Sequence, residues 1–378
     1  MSRRKLCYIT GARADFGLMQ STLQQIQQSG MLDLRVIVTG MHLLRDHGLT
    51  VTEIERAGLP IAARIAVEEG VPTGALMARN IGRMLVGFVE ALEAMRPDMV
   101  LVLGDRGEML AGALAAIHLN IPVVHVHGGE RSGTVDEPVR HAISKLAHYH
   151  FVATDESRDR LIRMGEAADR VFVVGAPGLD GLKEAALAGR EALCAGVNFD
   201  PKRPVALLVY HPVLQEADRS GQDTAIIIDA VRARDMQIIA LKPNSDAGSS
   251  DVREVLDARA AAGELCLATH LVRSEFLSWL AACDVVVGNS SSGIIEAATF
   301  GTPVVNIGSR QNLRQRNANI FDCSVRRTDL DSALARALAS PRFDGYNVYG
   351  DGKAGARIAS LLAAIDLTTA STSKTNVY

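Results

Sequence analysis

The chain has 378 residues, more than one ordinary hydrophobic core organises, and this length predicts two domains. Hydrophobic residues make up 48% of it and charged residues 22%, which is typical of a folded globular protein rather than a disordered one. With 40 basic and 43 acidic residues the formal net charge is −3, so no positive field exists to attract nucleic acid, and we expect no such partner. Any anionic ligand must be bound by local geometry.

The five cysteines and the first residues of the chain indicate its surroundings. No two cysteines form a C-x-x-C pair and most lie in or beside apolar runs, as small buried hydrophobic residues of a reduced protein do. The basic start, Met1 to Lys5, leads straight into a short strand pattern without the apolar segment of a signal peptide. No apolar run approaches the roughly 18 residues that cross a bilayer. We expect a cytoplasmic protein with no membrane partner.

Short apolar runs rich in β-branched residues alternate with longer amphipathic stretches such as Gly74–Ala94. Each run is largely continuous, as in parallel strands that are covered on both faces. The predicted strands are Leu6–Thr10, Leu34–Thr39, Met99–Leu103, Val123–His127, His150–Thr154, Val171–Val174, Val205–Tyr210, Ile238–Leu241, Leu265–Ala268, Val285–Gly288 and Val304–Ile307. The pattern predicts an α/β fold of two Rossmann-like, doubly wound domains with a central cleft.

The boundary between the two domains is predicted near Gly175-Ala176-Pro177-Gly178. We expect residues 1–177 to form the N-terminal domain and residues 178–354 the C-terminal one. A helix in 355–367 is expected to pack back on the N-terminal domain. The Ser/Thr-rich segment 368–378 carries no apolar period and is expected to be a mobile tail.

Open parallel sheets bind ligands beyond the carboxyl ends of their strands, so the residues after each strand are the candidates for a site. The first strand leads through Gly11-Ala12-Arg13-Ala14-Asp15-Phe16-Gly17 into a helix, the outline of a phosphate-binding turn. Arg13 and Asp15 are the binding candidates here, although Arg13 could also pair with a local carboxylate. The turn is not G-x-G-x-x-G and no acid follows the second strand, which disfavours a nicotinamide cofactor.

Acidic residues follow the third and fourth predicted strands. Asp105 comes directly after Leu103 and Gly104, where capping of a helix is the alternative role. The Gly128-Gly129 pair leads into a loop with Glu130, Asp136 and Glu137, for which a solvated acidic loop is the alternative. Crowded, desolvated carboxylates have raised pKa values that suit proton transfer near neutral pH, so we expect raised values here.

Two further patterns involve histidine. His125 and His127 lie on one face of a predicted strand and could, with Asp105 and Glu130, ligate a metal ion, although spacing alone does not show convergence. His211 follows the first strand of the second domain and is a candidate general acid/base or anion donor.

The second domain carries hydroxyl and basic groups at its strand ends. The stretch Asn289-Ser290-Ser291-Ser292-Gly293 opens a helix, where free backbone N–H groups and the helix dipole favour a phosphate. Glu296 follows one turn later and can accept hydrogen bonds from a ribose. Asn244 and Arg310 follow two other strands of this domain. Phosphate donors thus collect on one wall of the predicted cleft and acids on the other.

With these motifs in this order, the chain resembles the hydrolysing UDP-N-acetylglucosamine 2-epimerases of bacterial sialic-acid pathways. The resemblance runs from about Lys5 to the Arg310 loop. Non-hydrolysing relatives resemble a His-Val-Glu-Ala-Gly-Leu-Arg pattern where this chain has His125-Val126-His127-Gly128-Gly129-Glu130-Arg131, which favours the hydrolysing branch. The other matching stretches are Val38–Leu43, Gly104–Arg106, Asp136-Glu137 with Arg140-His141 and Ser144-Lys145, Val174–Asp180, His211-Pro212, Pro243–Gly248 and Gly308–Gln311.

The resemblance implies a GT-B-like fold, a UDP-sugar substrate, no cofactor and no metal, a homodimer or homotetramer, and a role in sialic or other nonulosonic acid biosynthesis for cell-surface polysaccharide. It also implies elimination of UDP across C1–C2 of UDP-GlcNAc to a 2-acetamidoglucal, and hydration to free ManNAc. Proton transfer would fall to Asp105, Glu130 and Asp136, with His211 and Arg13 stabilising the leaving diphosphate. Substrate-binding roles would fall to Asp15, Arg140, Asn244, Ser290, Ser291, Ser292, Gly293, Glu296 and Arg310.

Several alternatives remain open at this point. A UDP-2,4-diacetamido-2,4,6-trideoxyhexose or GDP-GlcNAc could replace UDP-GlcNAc as the substrate. A GT-B glycosyltransferase would share the architecture, and a metal-dependent hydrolase would use His125, His127 and Asp105. A nucleotide-sugar sensor would bind the ligand without turnover.

Overall fold

The computed structural model describes residues 3–71, 73–131, 136–243, 246, 248–367 and 374–377. Its strands form two parallel sheets, one of seven strands in the order β3-β2-β1-β4-β5-β6-β7 and one of six in the order β10-β9-β8-β11-β12-β13. The strands are β1 (Arg4–Thr10), β2 (Leu32–Thr39), β3 (Ile61–Ile65), β4 (Met99–Leu103), β5 (Val123–Val126), β6 (Tyr149–Val152), β7 (Val171–Val173), β8 (Val205–Val209), β9 (Gln237–Leu241), β10 (Cys266–Ala268), β11 (Val285–Gly288), β12 (Val304–Ile307) and β13 (Ile320–Cys323).

Helices connect the strands and cover both faces of each sheet. The α-helices are α1 (Arg13–Ser29), α2 (Val51–Arg56), α3 (Gly74–Met95), α4 (Gly107–His118), α5 (Asp136–Leu146), α6 (Asp155–Arg163), α7 (Leu182–Ala185), α8 (Arg190–Gly196), α9 (Ser220–Arg232), α10 (Ser249–Ala261), α11 (Arg273–Ala282), α12 (Ser291–Ile295), α13 (Arg327–Ala339) and α14 (Ala354–Ala364). Short 3₁₀ helices occupy Gly40–Leu43, Arg45–His47, Ala168–Arg170, Pro177–Leu179, Leu214–Arg219 and Ala297–Phe300. The predicted GT-B-like α/β architecture is confirmed.

The strand order fixes where a ligand can enter each sheet. In the first sheet the order reverses between β1 and β4, and in the second between β8 and β11. The loops after two such neighbouring strands leave in opposite directions and open a crevice at their carboxyl ends. Asp105 follows β4, and His211 and Ser290 follow β8 and β11. The candidate residues therefore lie at the two switch points.

The last helix, α14, belongs to the core of the first sheet although it follows the second in sequence. Ile358 and Leu362 are fully buried in one cluster with Phe16 and Leu23 of α1. The carboxylate of Asp180 accepts hydrogen bonds from the amides of Ala354 (2.9 Å) and Gly355 (2.6 Å), which have no partner within the helix. This chain crossing joins the two domains a second time.

The structure contains two strands that the apolar runs do not predict, β3 and β13. Both are edge strands, and both are only partly buried, with burial alternating along β3. Ala62, Ala63 and Arg64 supply little apolar signal, because an edge strand can leave one face to solvent. Continuous hydrophobic runs reveal central strands and miss edges of this kind.

Residues 374–377, in the segment predicted to be a mobile tail, contact the first domain. Lys374 Nζ donates to the carbonyl oxygens of Ser144 (2.9 Å) and Ala147 (2.6 Å) and lies 2.6 Å from a carboxylate oxygen of Glu166. A single lysine thus satisfies carbonyl groups at the end of α5, which composition cannot reveal. Residues 368–373 and 378 lie outside the described residues. Within the described ranges, no helix combines the length and apolar character that crossing a membrane requires.

Candidate active site

A cleft of about 230 Å³ opens between the carboxyl edges of the two sheets. Its lining includes ten of the fourteen predicted site residues. Those from the first domain are Arg13, Asp15, Asp105 and Arg140, and those from the second are His211, Ser290, Ser291, Ser292, Glu296 and Arg310. Residues far apart in sequence therefore supply the two walls of one site.

Asp105 is held at the end of β4 by an ion pair. Gly104 has φ 82°, which suits glycine, and turns the chain sharply after the buried strand. The Asp105 carboxylate pairs with Nη2 of Arg140, which is only 1% exposed. Nη1 of Arg140 donates to the carbonyl oxygen of His127 at 3.0 Å. A charge buried so deeply needs a partner of opposite sign, so this pair fixes the carboxylate in the cleft.

The expectation of raised carboxylate pKa values is wrong for Asp105. Burial raises the pKa of Asp105, but the positive charges of Arg140, Arg314 and Arg310 outweigh burial and leave it below its usual value. The sequence pattern showed the acids after two strands but not the arginines that converge on Asp105 from α5 and from the loop after β12. Asp105 is therefore ionised near neutral pH, the form that accepts a proton or orients a cation.

Glu130 lies deeper, beside His127. Its Oε1 is 2.6 Å from Nδ1 of His127, and its Oε2 contacts Arg314 and lies 3.8 Å from Nη1 of Arg140. Only 3% of Glu130 is exposed. Among the described residues it is His127, rather than Glu130, that lines the cleft.

Besides Glu130, three predicted residues are absent from the described lining of the cleft. Asp136 begins α5, but its side chain lies outside the described part of the structure. Asn244 also lies outside the described residues. Gly293 is buried within α12, next to the serines that line the cleft rather than in its lining.

Asp15 faces its own turn more than the cleft. Its carboxylate accepts hydrogen bonds from the amides of Gly11 (3.0 Å) and Ala12 (2.9 Å) and contacts the hydroxyl of Thr10. These bonds hold the turn at the start of α1, where amide groups would otherwise lack partners. Asp15 thus shapes the turn that presents Arg13.

The buried position of Asp15 leads to a testable dependence of stability on pH. Burial raises the pKa of Asp15 from 3.8 to about 7, despite hydrogen bonds that favour the charged form. The folded state then binds a proton that the unfolded state has released, so the free energy of unfolding should fall as pH rises from about 4 to 7.

Asp15→Asn should remove this part of the pH dependence, because asparagine does not titrate. Denaturant unfolding of wild type and variant at pH 5 and pH 8 measures the effect. Wild type should lose more stability than Asp15→Asn between the two values, and an equal loss in both proteins would contradict the raised pKa.

On the opposite wall, two short segments present His211 and the serines. The His211 amide donates to Asn289 Oδ1 at 2.8 Å, and Asn289 Nδ2 donates back to the His211 carbonyl at 2.8 Å. Burial, and then the charges of Arg310, Arg13 and Arg106, hold the pKa of His211 well below its usual value. His211 is therefore a neutral imidazole surrounded by cations, which suits a hydrogen-bond donor to an anion.

The serine segment begins a helical turn next to the arginine of the following loop. Ser290 caps α12, its hydroxyl accepting from the Ser292 amide at 3.4 Å, and lies 2.8 Å from the Ser292 hydroxyl. Nη1 of Arg310 donates to the Asn289 carbonyl at 3.2 Å, which holds the guanidinium beside these hydroxyls. One turn later Glu296 is 1% exposed and its Oε1 contacts Arg273. Hydroxyls and a guanidinium at one helix start form a site for phosphate.

Polar contacts connect the two domains across the cleft. Arg13 Nη1 donates to the Thr269 carbonyl at 3.1 Å and lies 3.0 Å from Nδ1 of His270. His270 in turn pairs with Glu53. Arg314 of the second domain reaches Glu130 of the first. The two walls are thus held together by polar side chains, of which Arg13, His270 and Arg314 also line the site.

The metal alternative does not fit the histidines. Both ring nitrogens of His125 have partners, since Nε2 is 2.7 Å from the Gly104 carbonyl and Nδ1 is 3.1 Å from the Ser144 hydroxyl. In the part of the chain that the structure describes, no group of three or more His, Cys, Asp or Glu side chains is arranged to hold a metal ion. Alternation along the strand placed His125 and His127 together, but His127 has left the strand with φ 63°.

Sequence reasoning missed Arg314 and Arg273, and treated His127 only as a metal ligand. Arg314 follows Arg310 by four residues in one loop, so the run of arginines after β12 is the one signal that could have indicated it. Arg273 begins α11 and its role depends on contact with Glu296 from another segment, which no local pattern predicts.

Comparison with known proteins identifies the family to which this chain is similar. The model of the UDP-N-acetylglucosamine 2-epimerase family matches residues 24–363. The chain is 50% identical to the UDP-N,N'-diacetylbacillosamine 2-epimerase (hydrolyzing) of Legionella pneumophila, over 99% of this chain and 100% of that protein. It is 33% identical to a UDP-N-acetylglucosamine 2-epimerase of Neisseria meningitidis serogroup B, over 93% and 91% of the two chains.

Solved structures agree on the fold. The crystal structure of a UDP-GlcNAc 2-epimerase from Neisseria meningitidis bound to UDP-GlcNAc superposes with a TM-score of 0.80, covering 95% of this chain and 99% of that one at 16% identity. Given the family match over most of its length and the full-length relative at 50% identity, this chain belongs to the UDP-N-acetylglucosamine 2-epimerase family.

Proposed function

We propose that this protein is a hydrolysing 2-epimerase, which converts a UDP-linked 2-acetamido sugar into UDP and the free sugar of opposite configuration at C2. The observation that carries the proposal is the ionised Asp105, held by buried Arg140, across one cleft from the serines and Arg310. One wall thus offers groups for proton transfer and the other offers donors for a diphosphate. The relative at 50% identity is named as a hydrolysing enzyme.

The proposed reaction uses both walls. Removal of the weakly acidic C2 proton supplies the electrons of a C1=C2 double bond as the C1–O bond to the diphosphate breaks. Water then adds across the double bond, its oxygen to C1 and a proton to the opposite face of C2. Asp105 and Asp136 are the carboxylates proposed for proton transfer, in which a positioned group contributes roughly 10²- to 10⁴-fold. Glu130, the third predicted acid, lies behind His127 and acts on the site through its neighbours.

The departing diphosphate gains negative charge, which donors aimed at it stabilise. Arg13, Arg310 and neutral His211 lie around this part of the cleft, and the serine hydroxyls lie beside Arg310. Because His211 is neutral, it assists as a hydrogen-bond donor rather than as a full positive charge. The site residues themselves provide both steps, so the scheme uses no cofactor or metal.

For the sugar, we propose UDP-2,4-diacetamido-2,4,6-trideoxyhexose as the preferred substrate and UDP-GlcNAc as the second candidate. The relative at 50% identity is named for the first sugar and the relative at 33% for the second, and the higher identity extends over the whole of both chains. The free C2 epimer, of the ManNAc type in the case of UDP-GlcNAc, would then enter nonulosonic acid biosynthesis.

The product assay that tests this proposal compares three substrates, UDP-GlcNAc, its 2,4-diacetamido-trideoxy analogue and GDP-GlcNAc. We expect release of a free C2-epimerised sugar and UDP, fastest from the diacetamido analogue. Faster turnover of UDP-GlcNAc would reverse the order of the sugars, and fastest turnover of GDP-GlcNAc would overturn UDP as the nucleotide. Binding without release of free sugar from any of the three would overturn the enzymatic proposal.

Glu296 leads to a prediction for the nucleotide. Its buried carboxylate faces the cleft, where it can accept a hydrogen bond from a ribose hydroxyl, and a hydrogen bond to a charged group is worth about 1.5–3 kcal/mol. Glu296→Gln should therefore weaken UDP binding by roughly tenfold or more.

Calorimetric titration with UDP and with its 2'-deoxy and 3'-deoxy forms identifies the hydroxyl. Wild type should prefer UDP to one deoxy form, and Glu296→Gln should lose that preference. A variant that keeps the full preference would show that Glu296 does not bind the ribose.

A further inference from the structure

The backbone of His127 has an unusual conformation. Its φ of 63° lies in the left-handed region, which costs energy for any residue with a Cβ and which glycine adopts freely. Its amide donates to the Phe151 carbonyl at 3.0 Å and its carbonyl accepts from Arg140 at 3.0 Å, so the conformation is held from both sides. Two glycines follow directly in the sequence. A side chain kept at such a position points to a use for that side chain.

The two ring nitrogens of His127 have different surroundings. Nδ1 lies 2.6 Å from Oε1 of Glu130, so a hydrogen on Nδ1 would face a carboxylate. Nε2 is buried, has no hydrogen-bond partner within the described residues, and belongs to a side chain that lines the cleft and is only 4% exposed. Since buried polar atoms are nearly always hydrogen-bonded, the lone pair on Nε2 is placed for a partner in the cleft.

Burial and the neighbouring charges keep the His127 ring neutral, which is the form that can accept a proton. Burial, and then the charges of Arg314 and Arg140, lower the pKa of His127 to about 3, so the imidazole is neutral before substrate binds. Glu130 contacts both the ring and Arg314, and it does not itself line the cleft. This arrangement resembles a base oriented by a carboxylate behind it, with an arginine holding the carboxylate in place.

We propose that His127 is a catalytic residue of this enzyme and that Glu130 is a positioning residue that acts through it. The proposal rests on the proposed function. Nε2 takes the C2 proton of the sugar, the C2–H electrons form the C1=C2 bond, and the C1–O bond breaks with its electron pair leaving on the diphosphate. The imidazolium that results is stabilised by the Glu130 carboxylate beside Nδ1. The proton on the opposite face of C2 comes from another group during hydration, and His127 returns its proton to solvent after product release.

The test compares His127→Gln and His127→Glu with wild type. The control is His118→Gln, which makes the first of these changes at an exposed histidine. His127→Gln should lower kcat by at least about 100-fold, with KM and UDP affinity changed only a few-fold, because the lost group acts in proton transfer. Hydration of synthetic 2-acetamidoglucal in the presence of UDP should be much less affected, since that step does not remove the C2 proton. His118→Gln should match wild type.

His127→Glu replaces one base by another, at a position where the non-hydrolysing pattern carries glutamate. It should recover a substantial part of the activity lost in His127→Gln, with a changed pH dependence of kcat/KM. Glu130→Gln should change the same pH dependence, because it removes the charge beside Nδ1, whereas a purely structural role would alter stability alone.

Two results would overturn the proposal. One is His127→Gln with wild-type kcat, and the other is equal loss of elimination, glucal hydration and UDP binding. If His127→Gln does not fold, His127→Glu serves as the test instead. Wild-type activity of His127→Glu with an unchanged pH profile would then overturn the proposal of a base at this position. Wild type that releases no free sugar would instead reject the proposed function, so the two failures are distinguishable.

Discussion

Asp105→Asn is expected to lower kcat by about 10²- to 10⁴-fold while the affinity for UDP changes only a few-fold. Asparagine keeps the size of the side chain at the end of β4 but cannot accept a proton. The diphosphate donors His211, Ser290 and Arg310 lie on the other wall of the cleft, after other strands than β4, so nucleotide binding should remain. The measurement is steady-state release of UDP together with calorimetric titration of UDP.

The same strand offers a matched control. Asp98 immediately precedes β4 at its amino end and is exposed, and one carboxylate oxygen accepts from the Lys5 amide at 2.7 Å. Asp98→Asn makes the same chemical change at the end of the strand away from the cleft and should leave kcat unchanged. Asp105→Asn with near wild-type kcat would remove Asp105 from the catalytic groups, and equal losses in both variants would indicate damage to β4 rather than to the site.

Arg140→Gln is expected to affect both stability and activity. Arg140 is almost fully buried and pairs with Asp105, and removing one partner of a buried pair typically costs about 3–5 kcal/mol. Because Asp105 is partly exposed, we expect a value near the lower end, about 3 kcal/mol, in denaturant unfolding. The lost positive charge also allows the pKa of Asp105 to rise.

The rise in the pKa of Asp105 should shift the pH dependence of kcat/KM in a definite direction. If the ionised form of Asp105 is required, the acidic limb of kcat/KM must move to higher pH in Arg140→Gln. Arg140→Lys keeps the charge and should move the limb less, although it loses the two-pronged contact with Asp105 and the His127 carbonyl. An acidic limb that stays in place in Arg140→Gln would show that Asp105 does not titrate in that limb.

Much of the fold could be predicted, and most of the predicted site residues line the cleft, because both depend on local sequence. Continuous apolar runs indicate buried parallel strands, and β4, β11 and β12 have the predicted bounds. Ligand sites in such sheets lie after the strands, so the chain pattern is enough to make Asp105, His211 and Ser290 candidates. Their meeting in one cleft follows from the strand order, which the chain pattern alone does not determine.

The remaining features depend on contacts between distant segments. The lowered pKa of Asp105 comes from Arg140, Arg314 and Arg310, which lie 35 or more residues away. The division of roles between His127 and Glu130 depends on a left-handed turn that places one side chain in the cleft and the other behind it. Alternation predicted His127 inside a strand and so assigned it the wrong neighbours.

The most direct test of hydrolysing 2-epimerisation is proton NMR of the purified protein acting on the UDP-linked diacetamido sugar and on UDP-GlcNAc in D₂O. The proposed reaction breaks the C2–H bond and takes the new hydrogen from solvent. This mechanism therefore predicts free sugar of inverted C2 configuration that carries deuterium at C2, together with UDP. Free sugar that retains its protium at C2, or turnover that leaves the configuration at C2 unchanged, would contradict it.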